Sequence, residues 1–469
     1  MEGRAQGVEA LVLMTRAFRA AEGAPASDGS HPPAQSSWRL AAVVAIIACF
    51  ALYAWQAVTA GKPVASGLLL LPVLLMLTAP ALIRASRSES AFDLAGLMAT
   101  GLALRCIGAY FRYVNGADAH VYHQVGSELA RSFRALDFSV DVGREIPGTG
   151  GLRYIAGLVS VPTNSTEFLT FLVFTWFGFW GCVLFYRALV TALPGADRAR
   201  YAKLIFLWPS LVFWPSSIGK EAWIMLTLGL TMLGAARVLV RRRGGYSLFV
   251  AGLGGMTLVR PHVALLAFVA FGVAFLVGRR GEARPGVVTP ASVAKGVGLV
   301  MLLLLGGVLA TRTVDFLKID DLSGSSVDTA LQSVRDLSAE GGSQYDPPDP
   351  DTPTGYVTAF VTTLARPLPT EASGSEQLFT AAEGLLLGAL LLTSWRRLAS
   401  LPRRLRREPY VMLALAYVLM FAYVFSAISN FGILARQRVQ VLPFVFVLLA
   451  IPAVAGVKQR DPRTPPVPS

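Results

Sequence analysis

Charge is scarce in this sequence. Asp, Glu, Lys and Arg make up 15% of its 469 residues, against roughly 25% in soluble proteins. Together with long apolar runs, that shortfall excludes a soluble globular enzyme, a coiled coil and a disordered chain. Cysteine is nearly absent as well. Cys49, Cys106 and Cys182 all lie inside apolar stretches without metal-ligand spacing. A disulfide framework is therefore excluded, and the three read as small core residues. Only four histidines occur, with no HExxH or CxxC pair, so nothing indicates a zinc site. Acidic residues are outnumbered 29 to 42 by Lys and Arg, giving a formal net charge of +13. On a soluble protein that surplus would raise nucleic-acid binding. Here Lys and Arg in cytoplasmic loops account for it, and no nucleic-acid partner is expected.

What is abundant is apolar sequence, at 54% hydrophobic residues. Stretches near the ~20 residues of a bilayer crossing recur at 38–58, 65–84, 91–111, 166–192, 203–217, 221–240, 246–259, 261–278, 294–312, 377–395, 409–428 and 439–456. The expected fold is an all-α polytopic membrane protein with about twelve transmembrane helices. Residues 1–37 read as a disordered cytoplasmic tail with room for an amphipathic helix over 8–20. The first long apolar run begins near residue 38, too late for a signal peptide. Residues 38–458 form one transmembrane domain, and 459–469 a second disordered tail. The stretches 203–217 and 246–259 are short and end at WPSSIGKE and RPH. Such breaks are tolerated in a membrane where the backbone is buried in protein or lines a cavity.

Charge sets the expected orientation. With both termini inside, inner segments hold 27 Lys and Arg and outer segments 14, with Arg105 within the third span. This is the positive-inside pattern. Two long loops, about 112–165 and 313–376, then lie outside; loops of such length are mostly functional. Val121, Val125, Leu129 and Phe133 give the first an amphipathic helix. DTALQSVRDLSA gives the second a short helix, followed by a mobile Pro/Asp segment, GGSQYDPPDPDTPTG.

The unusual polar residues gather on that outer face. Asp118, His120, His123 and Glu128 lie in the first loop. Lys220 and Glu221 sit between two spans, Arg260 and His262 between two others. Arg366 and Glu371 precede the tenth span, and Arg436 and Arg438 open the last. Ionisable groups at membrane depth are expensive and mostly functional. Asp118 fits two roles, the N-cap of the loop helix and a catalytic base. Lys220 and Glu221 could pair with each other as a structural break. Arg260, before the helix-breaking Pro261, fits an anion contact. Arg436 and Arg438 are two apart, so on a helix they point about 200° apart. The histidines read as hydrogen-bonding residues rather than metal ligands. Arg105 could join Asp118 or a lipid headgroup. Arg grips phosphate with paired donors and Lys with a point charge, while a nearby carboxylate can deprotonate a hydroxyl. Hydroxyl attack that expels a lipid phosphate is glycosyl transfer on the outer side of a membrane.

An outer loop with Asp118 and Tyr122 in GADAHVYHQVG resembles the GT-C superfamily of integral-membrane glycosyltransferases. So does PGTGGLRYIAGLVSVPTNSTEFLTFLVFTWFGFWGCVLFYRAL, with FLWPSLVFWPSSIGKEAWIMLTLGL resembling the paired helices that follow. TLVRPH and ARQRVQVLPF resemble bacterial members and their polysaccharide-polymerase relatives. The likeness covers about 90–450, with two helices preceding the family-like first span. It implies a GT-C-like fold and a polyprenyl-phosphate-linked sugar donor. The acceptor would be an envelope glycan or lipid, and transfer would invert the anomeric carbon on the outer or periplasmic face of a bacterial inner membrane. Asp118 matches the catalytic Asp of the family's first loop. Lys220, Arg260 and one of Arg436 or Arg438 would hold the donor phosphate, with Tyr122, Glu221, His262 and Arg366 in support. Many members carry paired acids where this chain has Gly116 and Ala117, which leaves a divalent metal open and no cofactor certain. Asp137, Asp141 and Glu145 are further loop acids.

Two other functions fit the same residues. A repeat-unit polymerase, similar to the O-antigen polymerases, would use the same face on two lipid pyrophosphates. A solute transporter or lipid flippase shares the twelve-span layout and the broken helices. Against it, the polar set lies near one surface rather than at mid-depth.

Overall fold

Helix follows the apolar stretches, and the places where it breaks are where polar side chains collect. The computed structural model describes residues 35–59, 62–89, 91–278, 290–339 and 343–452. The expected tails therefore lie outside the described residues, except for 35–37, which open the first helix. The order is α1 (Gln35–Thr59), α2 (Gly67–Ser88), α3 (Leu94–Asn115), α4 (Ala117–Arg134), α5 (Thr149–Ser160), α6 (Glu167–Ala192), α7 (Arg198–Leu207), α8 (Pro209–Phe213) and α9 (Lys220–Leu239). Then come α10 (Gly245–Thr257), α11 (Pro261–Gly278), α12 (Pro290–Leu317), α13 (Gly324–Ser338), α14 (Pro353–Ala365), α15 (Ser375–Thr393), α16 (Pro409–Phe425), α17 (Phe431–Arg438) and α18 (Leu442–Ala450). Three further helices of a turn or so join them. Among the described residues there is no strand, only an isolated bridge between Gln344 and Asn430.

Among the described residues, six helices are long and apolar enough to cross a membrane: α1 from Ser37, α2, α3, α6, α9 and α15. The pair α17 and α18, bent by 52°, makes up to seven if it counts as one span. The chain is thus a multi-pass helical membrane protein in outline. Helices α1 and α2 leave most of their apolar surface uncovered, as lipid-facing helices do. Helices α3, α6 and α9 are mostly buried and form the centre. There, α6 and α9 touch through their backbones. A Cβ on Gly181 would stand 2.3 Å from the Met225 carbonyl oxygen, and one on Gly229 would stand 2.6 Å from that of Gly181. Lipid tails are as apolar as leucine, so close backbone contact between small residues is what holds such helices together.

The stretch 203–217 forms two short helices rather than one span. Pro209 has no N–H to offer the Ile205 carbonyl, and the Ser210 N–H goes to Glu383 at 2.8 Å. Two backbone carbonyls are thereby orphaned. Arg105 takes both: its guanidinium donates to the oxygens of Phe206 at 2.7 Å and Ile205 at 3.3 Å, and to Gly101 at 2.9 Å. A fourth contact reaches the Cys182 sulfur at 3.1 Å. Arg105 is fully buried, so it meets neither Asp118 nor a headgroup. It repairs the helix break.

The two long loops are more ordered than their sequences imply. Helices α4 and α13 lie where amphipathic spacing placed them. The 343–352 segment is not loose throughout, because Tyr345 stacks on Phe431 at 4.4 Å and donates its N–H to the Ser429 carbonyl at 2.9 Å. Helix α14 was not foreseen; Thr352 caps it by accepting the Gly355 N–H at 3.0 Å. Ion pairs mark the far end of the bundle: Arg39 with Asp93 at 3.5 Å, Arg198 with Glu89 at 3.0 Å and Arg397 with Asp197 at 2.9 Å. Helix α3 runs from that end to Asn115. It thereby carries the chain to the opposite end, where α4, α9, α11 and α17 also bring their termini.

Candidate functional site: a cationic group around Asp118

Helix α3 stops at Asn115, and Gly116 turns the chain into α4. Gly116 occupies the cap position, so Asp118 falls in the first turn and does not cap. A carboxylate is favoured there by the helix dipole. Its side chain is 64% exposed and accepts from Arg436 Nη1 at 3.2 Å. Arg436 stands in the last turn of α17, which Asn430 starts by accepting the N–H groups of Gly432 and Ile433 at 2.9 and 3.2 Å. The same guanidinium lies 3.9 Å from Glu221 Oε2. Glu221 is buried in the first turn of α9, and its other oxygen meets Arg260 Nη2 at 3.2 Å. Arg260 occupies the break between α10 and α11. Charges thus alternate along Asp118, Arg436, Glu221 and Arg260.

Lys220 opens α9 and lies within electrostatic reach of Arg260, Glu221, Arg436 and Asp118. Among the described residues it has no hydrogen-bond or ion-pair partner. Tyr122, one turn after Asp118, faces the same charges. Burial first, then the carboxylates of Asp118 and Glu221, push its hydroxyl pKa up. It therefore stays a neutral donor at physiological pH. His123, two turns from the tip of α4, is held down by burial, with Glu167 opposing. His120 uses its Nδ1 on Glu167 at 2.6 Å, tying α4 to α6.

Of the residues predicted from sequence, Asp118, Tyr122, Lys220, Glu221, Arg260 and Arg436 come together. Lys220 and Glu221 do not pair with each other, because Glu221 is taken by two arginines. His262 lies beneath, its ring stacked on Phe316 at 5.4 Å, its Nδ1 without a partner. Arg438 is not part of the group. Two positions on from Arg436, it points to the opposite side of the helix. It is buried there, donating to the carbonyls of Thr363 (3.2 Å) and Arg366 at the end of α14. Those carbonyls are the orphans of a helix C-terminus, and a cation there is favourable. Arg366 is also elsewhere. Its Nε donates to both oxygens of Glu371 at 3.0 and 3.1 Å, and its guanidinium covers Tyr345 at 4.7 Å. It pins the second loop to α17. Asp137 and Asp141 accept N–H groups of their own turns, from Ser139 at 3.0 Å and Gly143 at 2.8 Å.

Two members were missed. Arg112, on the last turn of α3, feels the charges of Arg436, Glu221, Glu376 and Asp118. Its guanidinium lies over Phe213 and Trp214, at 5.2 and 5.1 Å. Trp214 also carries Arg436, at 5.7 Å, so one indole positions two arginines. A signal for Arg112 existed: it is a cation at a helix end on the side that the charge count assigns to the outside, against the positive-inside trend. Trp214, beside a proline, had only the look of a core or interface residue.

Four cations (Arg112, Lys220, Arg260, Arg436) face two carboxylates (Asp118, Glu221) in this group, with Glu376 at its edge beside Arg112. The surplus is positive and fits an anion. Among the described residues no three His, Cys, Asp or Glu side chains gather as metal ligands. A divalent ion here would take most of its ligands from a bound phosphate and water. No family model, curated protein or solved structure matches the chain.

Proposed function

We propose that the chain is a membrane glycosyltransferase of GT-C-like character that takes a sugar from a polyprenyl-phosphate-linked donor. In this reading the cationic end of the bundle faces outward. Both termini lie inside, in a bacterial cell membrane, with the shorter helices and the bent pair completing about twelve crossings. The acceptor is an envelope glycan or lipid. One observation carries the reading. An accessible carboxylate, Asp118, is held at 3.2 Å on Arg436, within a group whose cations outnumber its carboxylates.

Lys220, Arg260, Arg112 and Arg436 receive the donor phosphate. Among the described residues Lys220 has no hydrogen-bond or ion-pair partner, and Nη1 of Arg260 is buried without one. As phosphate draws the Arg436 guanidinium, Asp118 is released from its ion pair. It accepts the proton of the acceptor hydroxyl. The hydroxyl oxygen attacks the anomeric carbon, the bond from that carbon to the phosphate oxygen breaks, and the electrons leave on the phosphate. The cations stabilise that developing charge in a poorly hydrated site. Attack from the face opposite the phosphate inverts the anomeric carbon. Tyr122, kept protonated, can donate to a phosphate or sugar oxygen.

The test is transfer from radiolabelled polyprenyl-phosphate sugars in membranes, comparing wild type with Asp118→Asn. Loss of about two orders of magnitude or more is expected for a missing general base. Equal transfer by the variant, at equal expression, would refute the role of Asp118. No transfer from any donor by wild type would refute the transferase reading.

A further inference from the structure

Next to the cationic group lies a cavity of about 100 Å³ that the proposed transfer leaves unused. Trp214 and Phe431 form apolar walls, and Glu376, Gln377, Thr380 and Ser343 bring polar groups. Each keeps some hydrogen-bonding capacity; the Thr380 hydroxyl donates to the Glu376 carbonyl at 2.9 Å, so its oxygen can still accept. The Glu376 carboxylate, in the first turn of α15, has no hydrogen bond or ion pair among the described residues. The Gln377 carbonyl oxygen is occupied by the Ser373 N–H and hydroxyl, at 2.9 and 3.1 Å, which leaves its amide N–H₂ as a donor. The Ser343 hydroxyl donates to Asn430 at 3.0 Å, so its oxygen can still accept.

Charge narrows the ligand class. No Lys or Arg lines the cavity, and an anion would meet Glu376. A cation would meet walls already bearing guanidinium groups, since Trp214 carries Arg112 and Arg436, and Phe431 carries Arg366 at 5.5 Å. A neutral ring fits, with hydroxyls for the carboxylate, amide and serine and C–H faces for the aromatic walls. Size narrows it further. The space is far below the roughly 300–1,000 Å³ of a drug-sized pocket, so one ring enters, not a chain of them. Trp214 and Ala435 line the cavity, and both adjoin Arg436. The space is therefore one side chain away from Asp118.

We propose that this cavity binds a single neutral sugar ring, the one that carries the acceptor hydroxyl. The word acceptor rests on the transferase reading; binding of the ring does not. The test is saturation-transfer NMR on the purified full chain in detergent, using methyl glycosides of glucose, mannose, galactose and arabinose. Tetramethylammonium and inorganic phosphate serve as competitors. Wild type and Asp118→Asn should saturate at least one glycoside. Glu376→Gln and Gln377→Ala, with unchanged melting behaviour, should bind it about ten-fold more weakly, as loss of one charge-assisted or amide hydrogen bond implies. The proposal fails if wild type saturates no glycoside, if both substitutions leave binding unchanged, or if tetramethylammonium or phosphate displaces the glycoside through Glu376. The two readings separate cleanly. Glycoside binding as described without transfer from any donor sinks the transferase and keeps the cavity. Transfer with an unchanged acceptor KM in Glu376→Gln does the opposite.

Discussion

Glu221 has two effects of opposite sign, and removing its charge should separate them. Its carboxylate is buried between Arg260 at 3.2 Å and Arg436 at 3.9 Å. In Glu221→Gln the amide keeps the shape but leaves Arg260, itself buried, without a counter-charge. Breaking a buried pair by removing one partner costs about 3–5 kcal/mol. Arg260→Met should cost less, because Glu221 retains Arg436. The double variant should lose less than the two singles together, with a coupling of about 2 kcal/mol. The variants should melt several degrees lower in detergent, read by fluorescence-detected size exclusion during a thermal ramp. Anion binding should move the other way. Glu221→Gln raises the local surplus by one positive charge, and at surface-like screening a nearby unit charge is worth at least about 1.4 kcal/mol, or ten-fold in affinity. A short-chain polyprenyl phosphate should therefore bind Glu221→Gln about ten-fold more tightly. The reasoning is refuted if affinity falls along with stability, which would make Glu221 a direct ligand contact. It is also refuted if the two single losses simply add.

Two more outcomes follow from the geometry. Arg105→Met leaves the carbonyls of Ile205 and Phe206 unpaired in an apolar interior, at about 1–3 kcal/mol each, so solubilised protein should drop in yield and melting temperature. Near-normal stability would mean that another donor repairs the break at Pro209. The Arg366–Glu371 pair predicts acid sensitivity of the second loop. The hydrogen bond from Arg366 holds the Glu371 carboxyl below its ordinary range, so its contribution is present above pH 4.5 and is lost as pH falls through the lowered value. Cleavage of 343–371 by an acid-active protease should rise below about pH 4, and Arg366→Ala should show raised cleavage at neutral pH by a protease active there. Equal protection at both pH values would remove the pair from any role in pinning the loop.

Much of this arrangement was legible in sequence because the two governing signals are local. Apolar length pointed to α1, α2, α3, α6, α9, α10, α11, α12, α15 and α16. A cation or carboxylate at a helix end on the side expected to be outer pointed to Asp118, Lys220, Glu221, Arg260 and Arg436. Arg105, Arg438 and Arg366 were misplaced for a shared reason. Each serves an acceptor distant in sequence: the carbonyls beside Pro209, the C-terminus of α14, and Glu371 together with the ring of Tyr345. Nothing in the neighbourhood of Arg105 shows that residues 205 and 206 will need a donor. That need arises only once Pro209 breaks one helix beside another. The 200° rule did foretell that Arg436 and Arg438 would part, but not which would face the group. The choice follows from packing, since α17 lays Arg438 against the end of α14.

The burial of Glu221 explains how four cations can share one end of the bundle. Arg260 and Arg436 would repel one another in a medium that screens poorly, and a fully exposed carboxylate would offset them only weakly. Set at the N-terminus of α9, Glu221 also gains from the helix dipole, which helps to offset its desolvation. It offsets the charge of two arginines in part, while leaving Lys220 and one side of Arg436 uncommitted. Asp118 takes that remaining side of Arg436, yet stays accessible. Compensation is therefore buried and fixed, while the Asp118 carboxylate is exposed and exchangeable. An anion arriving at this end would displace Asp118 rather than Glu221, because separating the exposed pair costs far less than separating the buried one. That ordering would couple anion binding to release of the Asp118 carboxylate from Arg436.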